Sequence, residues 1–551
     1  MVSPESTSWR KVAIGLTFLV VNVVAKASFR EIQVLKELER FNQETDAAGG
    51  NANDRVSFTM SAAKPFVLPA TYAQSVELPV DHFEKKNKDT FKNRYWVADQ
   101  YYEPGGPVFA FDTGEADDAA AYLGYMTRET SFFNQYLREF KGLGIVWEHR
   151  YYGESTPYPI NLNTTAKEMQ YLTTEQALKD FDVFANQFQW ANHSDVNFSP
   201  KKTPWVHVGG SYPGMRAAML RNLYPKTVYA AYAASAPVQA QVDMSAYWEQ
   251  VYRGMNAYEY GNCTKSITTA LNYIDSQLDH PKSAAAIKQK FLGRSAEQNS
   301  NEGFADTLFY PLYNWQSAGV DETLRGFCDH LQPYEKNGGE ALAERWASWP
   351  MQVSMVNDYN FQGGSFCEGP VGNETVTPNC LLDERFEGVL SISWTWQYCT
   401  EWGFFQASPK NSHSLGSRYN TLQHQQEICY RQFPDGLSSG YLPKSPKTDY
   451  INNITGGWRQ RPSHVFWTEG EFDPWRTLSP LSSEPFAPGF KVTNKAPNCE
   501  ESTPKNEVFG YLVDDAQHCY DFRSAVAFPG SVAPVALFAN ALKSWLKCFG
   551  K

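Results

Sequence analysis

Short apolar runs alternate with amphipathic segments in the first part of the chain and again near its end, but this alternation is missing in the middle. Short apolar runs predict buried strands at 91–98, 107–112, 143–148, 205–208, 229–238, 464–468 and 506–513. Amphipathic segments predict helices at 174–188, where Thr174 can cap the first turn, at 215–224 and at 532–548. Strands that alternate with helices favour a parallel sheet covered on both faces.

The region from 239 to 456 breaks this alternation and predicts a separate, largely helical unit. Its helical stretches lie at 245–258, 264–277, 283–291 and 340–349, and it holds six of the nine cysteines. We therefore predict an α/β domain built from 74–238 and 457–551, with a helical cap inserted at 239–456. For residues 28–73 we predict a peripheral N-terminal extension or a pro-segment.

The stretch 206–215 carries the clearest chemical signal. A strand runs into two glycines, Ser211 follows, and a helix comes next. This is the context of a nucleophile elbow, which exposes the serine hydroxyl at a helix N-terminus. The usual G-x-S-x-G spacing is altered, because Pro213 stands at the second glycine position. A Gly-Gly-Ser loop without a catalytic role is the alternative interpretation.

A serine nucleophile needs a base, and the base needs an orienting carboxylate. In α/β-hydrolases they follow in the order Ser, Asp, His. Asp473 lies in an Asp-Pro-Trp turn after the strand at 464–468, where Glu469 and Glu471 are its rivals. His518 follows the strand at 506–513 and is the only histidine after Asp473.

Two other histidines are weaker candidates for the base. His149 also ends a strand, but it precedes the serine, and its charged neighbours indicate a structural network near the site. His207 lies within the strand before Ser211 and is better explained as a core residue. For the oxyanion, the predicted donors are the N–H of Tyr212 and an N–H from the loop at Gly114 and Glu115.

Charge and the N-terminus limit the partners and the compartment. The net charge of −11 argues against a nucleic-acid partner. Arg10 and Lys11 precede an apolar stretch at 12–25 and small residues at 25–27, which predicts a signal peptide at 1–27, with an uncleaved anchor as the alternative. No later stretch is apolar enough to cross a bilayer, so stable membrane insertion is not expected.

The sequons and the cysteines agree with secretion. Glycosylation acceptors are predicted at Asn163, Asn192, Asn197, Asn262, Asn373 and Asn453. In an oxidising compartment the nine cysteines allow up to four disulfides and one remaining thiol. No close cysteine pair indicates zinc, and neither a metal nor a cofactor is predicted.

Collinear motifs from about residue 76 to the C-terminus carry a family resemblance. They are Asp81-His82-Phe83, Gly105-Gly106-Pro107, Thr113-Gly114-Glu115, 148–155 (EHRYYGES), 172–177 (LTTEQA), 209–212 (GGSY), 234–238 (ASAPV), 396–401 (WQYCTE), 470–475 (GEFDPW) and His518-Cys519. The chain resembles the serine peptidase family that includes lysosomal prolyl carboxypeptidase, dipeptidyl-peptidase II, thymus-specific serine protease and fungal acid prolyl endopeptidases.

The resemblance implies an α/β-hydrolase fold, a parallel-rich sheet with an inserted helical cap, and a Ser211/Asp473/His518 triad. It implies a secreted or vacuolar/lysosomal exopeptidase that cleaves peptides after proline or another small residue at acidic pH, through an acyl-enzyme. A prolyl endopeptidase, an esterase or lipase on the same fold, and an inactive hydrolase-like binding protein are the alternatives. A homodimer is a further possibility.

A proline-accepting pocket needs flat apolar walls. Met215, Trp396 and Trp475 are the candidates for these walls. An acidic group such as Glu115 or Glu401 would hold the amine of a peptide N-terminus and favour dipeptidyl release. An arginine or a protonated acid would favour a C-terminal carboxylate, and the sequence leaves this choice open.

Overall fold

The computed structural model describes residues 73–332, 338–359, 366–370 and 379–551. The signal peptide predicted at 1–27 lies outside these residues, as do the sequon at Asn373 and all but the last residue of the extension predicted at 28–73. In the part of the chain that the structure describes, no helix is long and apolar enough to cross a membrane.

A large central sheet organises the fold. Its strands are β1 (Gln74–Pro79), β2 (Thr90–Ala98), β3 (Val108–Asp112), β4 (Leu143–Trp147), β5 (Trp205–Gly210), β6 (Ala230–Ala234), β9 (Val465–Gly470), β10 (Lys491–Thr493) and β11 (Glu507–Val513). Within the described residues their order is β1-β2-β4-β3-β5-β6-β9-β11-β10, and β7 (Gln241–Asp243) and β8 (Gly403–Phe405) pair separately. Strand β2 runs antiparallel to β1 and β4, and the other neighbours are parallel.

The helices surround this sheet and fill the middle of the chain. They are α1 (Gly124–Thr127), α2 (Phe132–Phe140), α3 (Ala166–Met169), α4 (Thr174–Gln187), α5 (Tyr212–Leu223), α6 (Ala246–Ala257), α7 (Gly261–Leu278), α8 (Pro281–Leu292), α9 (Asn301–Asp306), α10 (Trp315–Ala318), α11 (Glu322–Leu331), α12 (Gly338–Ala347), α13 (Gln352–Tyr359), α14 (Val389–Gln397), α15 (Leu422–Gln432), α16 (Gly436–Ser439), α17 (Thr448–Thr455) and α18 (Val532–Leu546). A π-helical turn, Tyr398–Trp402, extends α14.

Both faces of the sheet are buried, which explains why its strands are apolar runs rather than alternating patterns. In β3, Val108 and Ala110 join one core while Phe109 and Phe111 join the other. The first core includes residues of α4 and α5, and the second includes residues of α2 and α18. The fold is that of an α/β-hydrolase, as predicted.

The middle region, 239–456, contributes helices and the small β7–β8 sheet, and its described residues add no strand to the central sheet. The predicted division of the chain at 238 and 456 stays a prediction. Disulfides join Cys263 to Cys328, Cys367 to Cys380, and Cys399 to Cys429 in this region, and Cys499 to Cys548 beyond it. Cys519 keeps a free thiol.

Three local predictions are wrong. Strand β6 is shorter than the predicted run at 229–238. Helix α5 begins at Tyr212 rather than at 215, because Pro213 fits the first helical turn, where its missing N–H is not needed. The cap of α4 is Thr173, whose side chain accepts a hydrogen bond from the N–H of Gln176, and not Thr174.

The Cys399–Cys429 disulfide joins the π-helical turn after α14 to α15 across 30 residues. A cross-link over a loop of this length stabilises by about 3.6 kcal/mol in the chain-entropy model. We expect the Cys399→Ser/Cys429→Ser protein to unfold at lower urea concentration than the wild type. The Cys519→Ser protein, which loses only the free thiol, is the control, and equal urea midpoints for the double variant and the wild type would contradict the expectation.

Candidate active site

Ser211 occupies a strained backbone position at the junction of β5 and α5. Its φ is 65° and its ψ is −132°, a conformation that a residue with a side chain rarely adopts. The Ser211 N–H donates to the Ala234 carbonyl at 2.9 Å, which ties the turn to the neighbouring strand β6. The side chain is half-buried. This is the geometry of a nucleophile elbow.

Small residues make this turn possible. A Cβ at Gly209 would lie 2.4 Å from the backbone carbon and oxygen of Pro213. A Cβ at Gly214 would lie 2.5 Å from the carbonyl oxygen of Ala234. The elbow therefore still requires glycine at two positions, 209 and 214, although proline stands at the usual position of the second glycine.

Pro213 contacts the loop that follows β3. A Cβ at Gly114 would lie 2.3 Å from the Pro213 Cγ, and Gly114 has a φ of 54°. The Gly114 N–H donates to Asp112 at 2.9 Å, so this N–H is already engaged. Glu115 comes next and is buried. Tyr212 is the first residue of α5, so its N–H has no acceptor within the helix.

Asp473 and His518 come together although 45 residues separate them. The His518 Nδ1 lies 2.8 Å from the Asp473 Oδ2, and both side chains are buried. The Trp475 N–H donates to the other Asp473 oxygen at 2.9 Å, which fixes the carboxylate. Because Nδ1 faces Asp473, Nε2 is the nitrogen left to take up a proton.

Burial opposes a charged imidazole, but the Asp473 carboxylate outweighs it and raises the pKa of His518 well above its usual value. A general base must be neutral to accept a proton. This shift of the pKa therefore works against the acidic working range that the family resemblance implies.

Glu469 and Glu471, the two alternatives to Asp473, form hydrogen bonds elsewhere. Glu469 is buried, and its Oε1 accepts the Ala236 N–H at 2.9 Å. Burial and the nearby Asp473 raise the pKa of Glu469 well above its usual value, which favours its neutral form. Glu471 accepts the Asp515 N–H at 3.0 Å. Of the three, Asp473 is the carboxylate that contacts His518.

His149 belongs to a buried hydrogen-bond chain beneath the elbow. Its Nδ1 lies 2.6 Å from the Arg150 carbonyl, an acceptor, so Nδ1 carries the proton and Nε2 accepts from the Tyr212 hydroxyl at 3.0 Å. Burial and the nearby Arg216 lower the pKa of His149 well below its usual value. The Gln397 amide donates to the same hydroxyl at 2.8 Å.

A buried ion pair supports the same turn from the side of β3. The Arg216 Nε, on α5, donates to the Asp112 Oδ2 at 2.7 Å. His207 lies 3.4 Å from the same oxygen and is fully buried, as expected for a core residue. Sequence reasoning missed Asp112, Arg216 and Gln397, because nothing in their spacing indicates that they meet.

A cavity of about 260 Å³ lies near the site, although none of Ser211, Asp473 and His518 lines it. Trp475 lines it, and the ring centroids of Trp475 and His518 are 6.5 Å apart. Gln316 also lines it, accepting from the Trp475 Nε1 at 2.9 Å and, through its backbone carbonyl, from the His518 N–H at 3.1 Å. Trp475 is thus the one proposed wall residue that borders the cavity within the described residues.

The structure places the other predicted substrate-binding residues elsewhere. Met215 is fully buried on α5, in the core beneath the sheet. Trp396 packs against Phe433 in a separate core, with ring centroids 5.0 Å apart, and Trp394 borders the cavity instead. The helical register explains why Trp394 borders the cavity and Trp396 does not, since residues two apart on a helix point to different sides.

Glu401 contacts Thr174, the first residue of α4, and does not line the cavity. Its Oε2 accepts the Thr174 hydroxyl at 2.7 Å and the Thr174 N–H at 3.0 Å. Burial raises the pKa of Glu401 to about 7, although these hydrogen bonds favour the charged form.

The predicted sequon asparagines within the described residues have exposed side chains. They are Asn163, Asn192, Asn197, Asn262 and Asn453. Asn192 donates to Asp99 at 2.8 Å, and Asn453 accepts from Arg459 at 3.1 Å. Their glycosylation stays a prediction. Among the described residues, no group of three or more His, Cys, Asp or Glu side chains could hold a metal ion.

The model of a protein family described as serine carboxypeptidase S28 matches residues 78–488. The chain belongs to this family. The match confirms the family resemblance of the sequence motifs and, with it, the prediction of a serine peptidase.

Curated relatives agree with this assignment. The "Probable extracellular serine carboxypeptidase" of Arthroderma benhamiae is 26% identical over 85% of this chain and 65% of its own length. The thymus-specific serine protease of Mus musculus is 28% identical over 86% of this chain and 87% of its own length. The lysosomal Pro-X carboxypeptidase of Pongo abelii is 26% identical over 72% of this chain and 76% of its own length.

Solved structures offer a more distant likeness. The proline iminopeptidase of Mycobacterium smegmatis is 12% identical, with 85% of this chain and 99% of that chain covered and a TM-score of 0.33. The fold of this S28 family member therefore rests on its own strand order and elbow.

The close approach of Gly114 to the Pro213 ring can be tested by mutation. Gly114→Ala would place a methyl group against the proline ring, displacing the loop that carries Glu115. We expect kcat/KM for a peptide substrate to fall roughly tenfold or more, because small displacements of catalytic groups are costly. Gly114→Ala/Pro213→Ala should recover part of this loss, since alanine has no Cγ.

Gly105→Ala is the matched control for backbone strain. Gly105 also has a positive φ, 99°, but its Cβ would meet nothing within 4 Å. Equal kinetic losses in the Gly105 and Gly114 variants would contradict the contact with Pro213 as the cause.

Glu401 should make stability depend on pH. Its folded pKa of about 7 exceeds its ordinary value of 4.5, so the folded state holds the proton more tightly than the unfolded state does. This contribution is fully present below pH 4.5 and is lost as the pH rises through 7, by up to about 3 kcal/mol. We expect the urea midpoint of the wild type to fall over this range.

Glu401→Gln should flatten that fall, because glutamine resembles the protonated acid and does not titrate. Glu322→Gln, which removes an exposed carboxylate from the first turn of another helix, α11, is the control. A fall of the midpoint that is as steep in Glu401→Gln as in the wild type would show that other groups cause it.

Proposed function

We propose that this S28 family member is a serine exopeptidase that cleaves after proline or another small residue through Ser211, Asp473 and His518. The observation that carries the proposal is the 2.8 Å contact between the His518 Nδ1 and Asp473, both buried. The strained serine on the neighbouring elbow and the family membership support it.

In the proposed first step, the Ser211 Oγ attacks the scissile carbonyl carbon while the His518 Nε2 takes the hydroxyl proton. Asp473 keeps Nδ1 protonated, orients the ring and stabilises the imidazolium that forms. The oxyanion receives hydrogen bonds from the N–H groups of Tyr212 and Glu115. The proton passes to the leaving amine, and an acyl-enzyme on Ser211 remains.

In the second step, a water molecule attacks the acyl carbonyl while His518 again takes the proton. Collapse of the second tetrahedral intermediate releases the new carboxyl terminus and restores the Ser211 hydroxyl. No cofactor is needed for either step, since the nucleophile, the base and the oxyanion donors all come from the chain.

The aromatic wall at Trp475 supports a preference for proline. Proline presents a compact apolar ring and, as the residue before the scissile bond, has no N–H to satisfy. A flat indole face buries such a ring without leaving a polar group unpaired. The name of one relative, a Pro-X carboxypeptidase, agrees with this preference.

An extracellular or vacuolar/lysosomal location is part of the proposal. The relatives include an extracellular and a lysosomal peptidase by name. Four disulfides indicate an oxidising compartment.

Two variants test the proposed triad. Ser211→Ala should lose both covalent labelling by a fluorophosphonate probe and turnover of proline-containing chromogenic peptides. Asp473→Asn should lower kcat about a thousandfold or more, because the histidine loses its orienting charge. Glu471→Gln is the matched control for the loss of a nearby carboxylate and should keep most of the activity.

Labelling that persists in Ser211→Ala would exclude this serine as the nucleophile. Mass spectrometry of a digested peptide library then reports the preference for proline and distinguishes amino-, carboxy- and endo-cleavage. Turnover of esters without turnover of peptides would favour an esterase instead.

A further inference from the structure

The cavity that Trp475 borders is lined mostly by residues of the middle region of the chain. Its walls come from α6, α14, α15 and the turn Thr307–Leu312. Aromatic side chains dominate these walls, among them Trp248, Phe309, Trp394, Tyr398 and Phe404. Such a lining suits apolar side chains of a bound peptide.

Among the described residues that line the cavity, two are charged, and they differ in which groups contact their charge. The Asp306 Oδ2 accepts from the His424 Nε2 at 2.8 Å, and its Oδ1 accepts from the Asn420 amide. Burial opposes protonation of His424, but Asp306 outweighs it and raises the pKa. The Asp306 carboxylate is therefore compensated inside the protein and is a poor partner for a substrate amine.

Arg431 is not compensated in this way. Its ionic contact is with Asp383 at 3.6 Å, which is beyond hydrogen-bonding distance. The Asp383 oxygens already accept the Ser300 N–H and hydroxyl, each at 2.7 Å. Within the described residues the guanidinium makes no hydrogen bond, and its side chain is 29% exposed.

The position of Arg431 is also firmly held. It lies in the last turn of α15, two residues after Cys429, whose disulfide to Cys399 anchors the helix. A guanidinium with open donors on a fixed helix is suited to bidentate binding of a carboxylate.

We propose that Arg431 binds a carboxylate group of the peptide substrate at the wall of this cavity. The inference rests on the proposed function, because it assigns the cavity to that peptidase's substrate. The carboxylate has two possible sources, the C-terminus of the peptide or an aspartate or glutamate side chain. In both cases the enzyme selects an anionic peptide that is otherwise apolar.

The test compares four proteins on two pairs of proline-containing peptides. The first pair differs only in a free C-terminal acid against an amide, and the second only in glutamate against glutamine on the N-terminal side of proline. Wild type, Arg431→Met, Arg431→Lys and Lys410→Met are assayed for the ratio of kcat/KM between the members of each pair. Lys410 is an exposed cation outside the cavity lining and controls for a general charge effect.

We expect the wild type to favour the anionic member of one pair. Arg431→Met should lower that ratio about ten- to one-hundredfold, the loss typical of a removed charged hydrogen bond. Arg431→Lys should restore part of it, and Lys410→Met should leave it unchanged. The responsive pair identifies the source: acid against amide indicates the terminus, and glutamate against glutamine indicates a side chain.

Peptide binding and fluorophosphonate labelling distinguish a failure of this inference from a failure of the proposed function. Calorimetric titration of the same peptides into Ser211→Ala, with and without Arg431→Met, measures carboxylate selectivity without any turnover. A wild type that cleaves no peptide would overturn the proposed function, while this titration would still decide the role of Arg431. Ratios and affinities that are the same in Arg431→Met and its parent for both pairs, with unchanged fluorophosphonate labelling of Ser211, would overturn the inference.

Discussion

The left-handed backbone of Ser211 is the constraint on which the site depends. Holding a residue that has a Cβ at a φ of 65° raises the free energy of the folded state by about 1–3 kcal/mol, so neighbouring contacts must stabilise this conformation. They do so through the hydrogen bond from Ser211 to Ala234 and the close approach of Gly209 to Pro213. The same turn that strains the backbone places Ser211 directly before α5.

Buried polar contacts join the sheet domain to the middle region around this turn. The Tyr212 hydroxyl binds His149 on one side and Gln397, at the end of α14, on the other. Glu401 reaches from the π-helical turn to the start of α4. Removing one partner of such a contact leaves the other unpaired in a dry interior, which costs about 1–3 kcal/mol. The cavity walls and the elbow therefore depend on each other's position.

The cavity combines aromatic and charged lining residues. Trp475 and the other rings bury apolar surface without regard to charge, and Trp475 is next to His518. The charged side chains, Asp306 and Arg431, differ in their contacts. Asp306 accepts a hydrogen bond from His424 at 2.8 Å. Arg431 has an ionic contact with Asp383 at 3.6 Å and no hydrogen bond within the described residues. Burial of apolar surface provides most of the affinity of such a site, and a single open cation provides selectivity.

Much of the site could be predicted from the sequence because its parts have local signals. The strand, the glycines and Ser211 are contiguous, and the order of Asp473 and His518 behind strands is a property of the chain alone. The alternation of strands and helices likewise predicted the sheet. These features depend on periodicity and turn chemistry, which act over a few residues.

Only the tertiary structure decided which side chains meet. Trp394 rather than Trp396 borders the cavity, because the rotation of α14 selects one side of the helix. Glu401 accepts hydrogen bonds from Thr174 at the start of α4, and Arg216 pairs with Asp112, which lies 104 residues away in the sequence. Such pairings depend on the packing of elements far apart in the chain, and a single sequence carries no local signal for them. By itself the sequence determined the fold class and the order of the chemical groups, and the packing of helices against the sheet decided which of them face the substrate.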